Sequence, residues 1–323
     1  MAAAMADLPL GSFQLSLHGC SLMTMATALS IGMFDGVHAG HREIIDQARR
    51  TVGPDGRVIV VTFEPAPAAI LSPEHVFSRL MTDRQRHSAL MDAGVDEVHV
   101  LEPTTEFLQQ SPRAFLDQLL VDHQPHFIME GQDFRFGCHR EGDIELLQVI
   151  GSERGFQVHL VEDVEATLVD GTRVPARSSV IRKLIQKGRV RDAAGLLGRP
   201  WQLDGIVVKG MQRGRELGCP TANLDAGCMI LPAAGVYAGR AYLESGEAYP
   251  AAISVGTNPT FEDGCLTCEV HLLGFDGEVG DYGWPLRVDV DHWIREQLVF
   301  DSLDLLTEAM ARDLQRVQEL MSV

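Results

Sequence analysis

Residues 30–41, SIGMFDGVHAGH, decide the fold of the first half of this chain. They join an apolar run at residues 25–31 to a segment with helical periodicity that begins near Gly40. A strand that turns directly into a helix is typical of the first unit of a parallel α/β domain. Glycines in such a turn let backbone and ligand approach closely. The stretch therefore predicts a strand, a tight turn and a helix, with a ligand site at the turn.

Two histidines in this stretch, His38 and His41, are three residues apart and fall on neighbouring positions of the predicted first helical turn. Unpaired N–H groups and the positive dipole end at a helix start favour bound phosphate. Imidazole groups there can also donate hydrogen bonds to charge that develops in a transition state. Taken alone, the pattern is explained equally well by two solvated histidines.

The pattern HxGH at a strand-to-helix turn resembles the signature of the nucleotidylyltransferase superfamily, and GxFDGVHxGH resembles the opening motif of the bacterial bifunctional riboflavin kinase/FAD synthetases. The resemblance implies a chain that phosphorylates riboflavin to FMN and then joins AMP from ATP to FMN, giving FAD and pyrophosphate. It implies riboflavin, FMN and ATP as substrates and Mg2+ as the cofactor.

Length and composition agree with a two-domain enzyme. The 323 residues are enough for two full cores, and the apolar fraction of 45% is ordinary for a globular protein. No apolar run is long enough to span a bilayer, and the N-terminus lacks a basic region typical of a signal peptide, so the cytoplasm is the expected location. Six scattered cysteines do not form a disulfide framework, and a single CxxC is weak support for a metal.

The charge distribution favours a small anionic ligand over nucleic acid. The net charge of −18 opposes a broad basic face, so no nucleic acid is expected as a partner. Residues 177–215 nevertheless contain ten basic and two acidic residues. This local surplus indicates a small polyanion, with a solvated helix surface as the alternative.

After residue 41, strand patterns alternate with helix patterns as far as residue 162. The β-branched run RVIVVTF is typical of a strand that is buried on both faces, and the alternation predicts a Rossmann-like, doubly wound parallel sheet. Ligands of such sheets bind beyond the carboxyl ends of the strands. Two further family motifs, FEP-x-P and G-x-DFRFG followed by GD, occur in order at these ends. The second motif contains Asp133 and Phe134.

Residues 175–185, PARSSVIRKLI, predict a helix that begins near Ser178. Arg182 follows Ser179 by three residues, so a hydroxyl and a guanidinium on one helical face could hold one phosphate. The segment is similar to the family motif S-[ST]-x-x-R, which closes over the phosphates of ATP.

Beyond residue 200 the pattern changes to short β-rich segments, which predict a small antiparallel barrel followed by a helix at residues 302–320. The sequence GxxRGRxLGxPTAN, followed by LPxxGVYA, closely resembles the riboflavin kinase domain. Thr221 and Asn223 of PTAN are expected to ligate Mg2+. Glu269 alternates with apolar neighbours in a predicted strand, and the resemblance makes it the base that deprotonates the ribityl 5′-hydroxyl. A solvent-facing carboxylate is the alternative.

The predicted domains are residues 20–187 for FMN adenylylation and residues 188–323 for the kinase. His38, His41, Arg182 and Glu269 are the predicted catalytic residues. The binding residues are Gly32, Phe34, Asp35, Gly36, Gly40, Asp133, Phe134, Ser178 and Ser179 in the first domain, and Gly210, Arg213, Gly214, Thr221 and Asn223 in the second.

Two departures from the family leave an alternative open. Met33 stands where the family usually has asparagine, and Ala66 stands where it usually has histidine. Both changes remove polar groups, so a kinase with a weakened adenylyltransferase domain is the main rival. A non-catalytic flavin-binding protein is a second rival, which the intact motifs disfavour.

Overall fold

The computed structural model describes residues 25–74, 78–210, 218–257, 266–277 and 281–322. The first half is a five-stranded parallel sheet in the order β3-β2-β1-β4-β5, with helices between the strands. Its elements are β1 (Thr27–Ile31), α1 (Ala39–Val52), β2 (Arg57–Phe63), α2 (Pro67–Leu71), α3 (Asp83–Asp92), β3 (Glu97–Leu101), α4 (Thr105–Leu108), α5 (Pro112–His123), β4 (Phe127–Gly131), a 3₁₀ turn (Cys138–Arg140), α6 (Ile144–Arg154) and β5 (Gln157–Val161).

Both faces of this sheet are buried, as the β-branched run predicts. Leu29 and Ile59 pack in a cluster with α5 and α6 on one face, and Ala28 and Val58 pack with α1 and α3 on the other. Successive side chains of a strand point to opposite faces, which is why adjacent residues join different clusters. The doubly wound sheet is thereby confirmed.

A short segment connects the sheet to the second half. It contains a hairpin, β6 (Glu165–Thr167) and β7 (Arg173–Pro175), and two helices, α7 (Ser178–Gln186) and α8 (Val190–Leu197). Ile185 and Leu197 belong to the same apolar cluster as Trp201 and the strands that follow. The helices therefore pack with the second half, and a boundary at residues 187 and 188 stays a prediction.

The second half is a closed six-stranded barrel in the order β10-β11-β12-β9-β8-β13, all pairs antiparallel. This confirms the predicted barrel. The sequence pattern missed β9, which begins at the third residue of PTAN. The elements are β8 (Trp201–Val208), β9 (Ala222–Asp225), β10 (Gly235–Tyr242), β11 (Ala248–Thr257), β12 (Leu266–Leu272), β13 (Pro285–Arg295) and α9 (Leu303–Met321).

The C-terminal helix α9 packs on the barrel through its second half. Val317 and Met321 are buried against Ala238, and the half-buried Arg295 of β13 makes an ion pair with Asp313 at 2.7 Å. Leu303 at the start of this helix is 67% exposed, so the apolar side chains of α9 are only partly covered by the barrel. Among the described residues, none of the helices is both long and apolar enough to cross a membrane.

Candidate active sites

The first candidate site is a cleft of about 320 Å³ at the carboxyl ends of β1 and β4, where the order of the strands reverses. This is the position at which open α/β sheets bind ligands. The residues of the cleft include nine that the sequence predicts, Gly32, Phe34, His38, Gly40, His41, Asp133, Phe134, Ser178 and Ser179. Ser30, Glu130, Asp163 and Arg177 also line it.

His38 and His41 stack on each other at the start of α1, with ring centroids 3.7 Å apart. His38 is the N-cap residue, and its Nδ1 accepts a hydrogen bond from the backbone N–H of His41 at 3.4 Å. This bond assigns the ring proton of His38 to Nε2. The Nδ1 atom of His41 is buried without a partner among the described residues. A buried polar atom without a partner is costly, so a ligand that meets it gains from doing so.

Both imidazoles are neutral at pH 7. Burial lowers the pKa of His38 to about 4, and the charges of Arg199 and Arg182 lower it further. Burial also lowers the pKa of His41 well below its usual value, with His38 as a secondary cause. A neutral imidazole has one N–H donor, so the pair presents polar hydrogens without the desolvation cost of a buried cation.

The turn before His38 has an unusual backbone. Phe34, Gly36 and Val37 have φ values of 47°, 95° and 39°. Residues other than glycine rarely adopt this backbone conformation. At Gly40 a Cβ atom would lie 3.0 Å from the carbonyl oxygen of Ala176. The glycine therefore lets the start of α1 pack closely against the strand that leads into α7.

Asp35 and Arg182, two predicted site residues, bind each other beside the cleft and do not line it. Asp35 is buried and accepts the backbone N–H of Leu80 at 3.1 Å. Arg182 also donates to the carbonyl oxygen of Ser78 at 2.9 Å, and the Ser178 hydroxyl donates to the carbonyl oxygen of Asp35 at 2.7 Å. These contacts tie α7 to the turn after β1. Gly36 likewise lies outside the lining of this cleft and borders another.

Arg177, the N-cap residue of α7, spans the edge of the cleft. Its guanidinium is 3.3 Å from Asp133 and 2.5 Å from Asp163, which follow β4 and β5. Arg189, in the same basic segment, pairs with Asp170 and Asp192. Three of the ten basic residues at 177–215, Arg177, Arg182 and Arg189, are therefore paired with carboxylates of the protein itself.

Glu130 is a cleft residue that the sequence reasoning missed. It is 3% exposed at the end of β4, and its Oε1 accepts the backbone N–H of Ile31 at 2.6 Å across the gap between β1 and β4. Burial raises the pKa of this carboxyl well above its usual value, although the Ile31 N–H opposes the shift. The signal that could have identified Glu130 from the sequence is a single carboxylate in the otherwise apolar strand FIMEG.

This burial predicts a pH-dependent stability difference for Glu130→Gln. A raised folded-state pKa means that the folded protein holds the proton while the unfolded chain has released it. Stability is therefore fully present below the unfolded pKa and falls as the pH rises toward the folded value. The amide cannot ionise, so the variant should gain up to about 1.4 kcal/mol per pH unit over wild type across that interval. Urea unfolding from pH 4 to pH 8 measures the gap, and a pH-independent gap would contradict the assignment.

The second candidate site lies on the outer face of the barrel, where β9 and β12 pair. Glu269 is opposite Asn223 in the register, and the Thr221 hydroxyl donates to Glu269 Oε2 at 3.3 Å. Glu269 is half-buried on the face opposite the buried Val270, which confirms the predicted alternation. A Cβ atom at Gly210 would lie 2.0 Å from Asn223 Nδ2, so the glycine lets the chain pass directly against that amide.

The structure thus brings Gly210, Thr221, Asn223 and Glu269 together, while Arg213 and Gly214 lie outside the described residues. Next to them, Gln297 donates to Ser254 Oγ at 2.9 Å, and Ser254 is the partner of Glu269 on β11. No group of three or more histidine, cysteine or acidic side chains positioned to hold a metal occurs in the described part of the chain. Burial raises the pKa of the Cys268 thiol to about 12, which leaves it protonated.

A parallel α/β domain with paired histidines at its switch point, followed by a barrel with a carboxylate-hydroxyl-amide cluster, defines a two-domain transferase that acts on phosphate groups. Two family models match, FAD synthetase over residues 22–174 and riboflavin kinase over residues 197–321. The bifunctional riboflavin kinase/FMN adenylyltransferase of Haemophilus influenzae is 33% identical over 93% of this chain and 96% of its own. That of Pseudomonas fluorescens is 36% identical over 90% and 92%. The chain belongs to this family of bifunctional enzymes.

A solved structure from Streptococcus pneumoniae, described as a macrolide-efflux protein, has the same two-domain arrangement. Its TM-score to this chain is 0.81, with 30% sequence identity over 91% of this chain and 94% of the other. The similarity covers the sheet and the barrel together.

Proposed function

We propose that this chain makes FMN from riboflavin and ATP on its barrel and then FAD from FMN and ATP on its parallel sheet. The observation that carries the proposal is the presence of two separate polar clusters, His38 with His41 and Glu269 with Thr221, one within the residues that match the FAD synthetase model and one within those that match the riboflavin kinase model. The products and substrates are small molecules, and the free thiols and the need for ATP fit the cytoplasm.

Adenylyl transfer needs stabilisation of charge on the triphosphate and no covalent intermediate, because the FMN phosphate is itself the nucleophile. The neutral imidazoles of His38 and His41 face the cleft beside the N-terminal turn of α1, and Ser178 and Ser179 face it from α7. Two helix starts and two imidazoles offer N–H donors to phosphate oxygens. Arg182 acts in this scheme by fixing Asp35 and the turn, and a direct contact with phosphate stays a prediction.

Phosphorylation of riboflavin needs an oriented hydroxyl and neutralised phosphates. The Glu269 carboxylate is half-buried in a rigid strand, and Thr221 is held against it, so the carboxylate is positioned to accept a proton from the 5′-hydroxyl. Asn223 lies opposite Glu269 and is confined by Gly210.

The donor set of the barrel site fits Mg2+. The hydroxyl of Thr221 and the amide oxygen of Asn223 are hard oxygen ligands, and Mg2+ takes few protein ligands beside the phosphates of a nucleotide. Thr221 and Asn223 would hold the ion, which when bound neutralises charge on the transferring phosphoryl group. Glu269 would then remain available as the base.

The two family departures bear on the rival reading of a kinase without FAD synthesis. Met33 is half-buried, and its carbonyl oxygen accepts from Thr62 at 3.3 Å and Arg86 at 3.2 Å. Ala66 is 2% exposed at the N-cap of α2. Neither residue lines the cleft that holds His38. The polar groups that line the cleft, among them His38, His41 and Ser178, are present despite both changes, which favours an active adenylyltransferase.

Product analysis tests the proposal. The purified chain, supplied with riboflavin, ATP and Mg2+, should convert riboflavin first to FMN and then to FAD. Accumulation of FMN without FAD would favour the kinase with an inactive first domain. Tightly bound flavin without ATP consumption would favour a non-catalytic binding protein.

A further inference from the structure

Arg199 lies in the segment that matches the riboflavin kinase family model, yet its guanidinium binds the turn that carries His38. It donates to the carbonyl oxygen of Gly36 at 2.7 Å and to that of Val37 at 3.3 Å. A third hydrogen bond, at 3.2 Å, goes to Leu197 at the end of α8. The side chain therefore joins the end of α8 to the two residues immediately before His38.

The turn needs such support because of its backbone. Gly36 and Val37 both have positive φ, and Val37 is β-branched, so its conformation is disfavoured unless the surroundings fix it. Their carbonyl oxygens are also buried and require donors. Arg42 also donates to the carbonyl oxygen of Val37, at 3.4 Å. Of these two arginines, Arg199 alone donates to the carbonyl oxygen of Gly36 as well, and Arg199 is the one that the second half of the chain contributes.

Arg199 is an unusual cation for a purely structural contact. Its three hydrogen bonds all go to backbone carbonyls, and burial with the nearby charge of Arg42 lowers its pKa to about 10. The guanidinium stays positively charged at pH 7, and after burial its charge is the largest cause of the lowered pKa of His38. Arg199 therefore affects the His38 imidazole in two ways, through its hydrogen bonds to the preceding turn and through its charge.

We propose that Arg199 is a positioning residue for adenylyl transfer, supplied by the kinase half of the chain, which holds the Gly36–Val37 turn so that His38 faces the nucleotide cleft. The inference rests on the proposed function for the reaction it serves. It makes FAD synthesis dependent on Arg199, whereas FMN formation does not depend on it.

Arg199→Gln tests this, with Arg84→Met as the matched control. Arg84 is another arginine between the two halves, 77% exposed and 3.4 Å from Asp204, and its hydrogen bond among the described residues goes to that carboxylate and not to the turn. The kcat for FAD formation from FMN should fall about tenfold to a hundredfold in Arg199→Gln, because a displacement of the His38 imidazole from its catalytic position lowers the rate by that order. FMN formation from riboflavin should stay within twofold in both variants, and Arg84→Met should keep both activities.

A measurement that does not depend on enzyme activity shows whether Arg199 positions His38 or only holds the two halves of the chain together. The pKa of His38, followed by NMR of the imidazole, should rise above about 4 in Arg199→Gln, because Arg182 and burial then act alone. It should stay near 4 in Arg84→Met and in Arg199→Lys, which keeps the charge and should retain more FAD synthesis. Three results would overturn the proposal. The first is unchanged FAD synthesis in Arg199→Gln, and the second is an equal fall of FMN formation and FAD formation in both Arg199→Gln and Arg199→Lys. The third is a His38 pKa that does not change in Arg199→Gln. If the wild-type chain makes no FAD, the proposed function is refuted instead. The titration of His38 would still show whether Arg199 acts on that imidazole.

Discussion

Glu269→Gln is expected to reduce FMN formation from riboflavin by about 10²–10⁴-fold, the usual contribution of a positioned general base. The amide keeps the shape of the side chain and can still meet the Thr221 hydroxyl, which lies 3.3 Å from Glu269 Oε2. It cannot accept the proton of the ribityl hydroxyl. Steady-state kinetics with riboflavin and ATP measure the loss, and FAD formation from supplied FMN should remain at the wild-type rate.

Glu247→Gln is the matched control for this substitution. Glu247 is an exposed carboxylate on the same barrel, bonded to Ser245 at the turn before β11. Its removal should leave both activities unchanged. A comparable loss of FMN and FAD formation in Glu269→Gln would mean that the two reactions share one site.

His41→Ala is expected to reduce FAD formation from FMN by about 10²–10³-fold, the usual effect of losing one donor to a developing charge. His41 is the better test of the pair because His38 also caps α1, so its removal would weaken the helix as well. The variant loses the ring that stacks on His38 and the buried Nδ1 atom, which has no hydrogen-bond partner among the described residues. FMN formation from riboflavin should be unaffected.

His87→Ala on α3 provides the control, since that histidine is exposed and distant in sequence from the turn. FAD formation that survives in His41→Ala would show that the imidazole pair does not act on the triphosphate. A loss of FMN formation in the same variant would indicate general misfolding, which the unfolding temperature would reveal.

The sequence predicted the architecture because burial leaves periodic patterns. The run RVIVVTF became β2, covered on both faces, and the alternation around Glu269 became β12 with Val270 inside the barrel. The sequence did not predict the strand β9, because its four residues, ANLD, are too few to show an alternating pattern and have low β-propensity.

The details of the sites were less predictable because they depend on contacts between distant residues. Arg182 binds Asp35, 147 positions away, and Arg199 binds Gly36, 163 positions away. Periodicity and local motifs carry no information on such pairs. Glu130 was different, since a lone carboxylate within an apolar strand is visible in the sequence and marks a buried polar group.

The central claim is that one chain carries two independent catalytic sites, and mixing the two variants tests it most directly. Glu269→Gln lacks the base on the barrel and His41→Ala lacks a donor in the cleft, so each variant on its own should convert riboflavin to FAD at least about a hundredfold more slowly than wild type. An equimolar mixture with riboflavin, ATP and Mg2+ should form FAD, because FMN released by His41→Ala becomes the substrate of Glu269→Gln. A mixture that accumulates FMN, or forms no flavin nucleotide, would contradict the account.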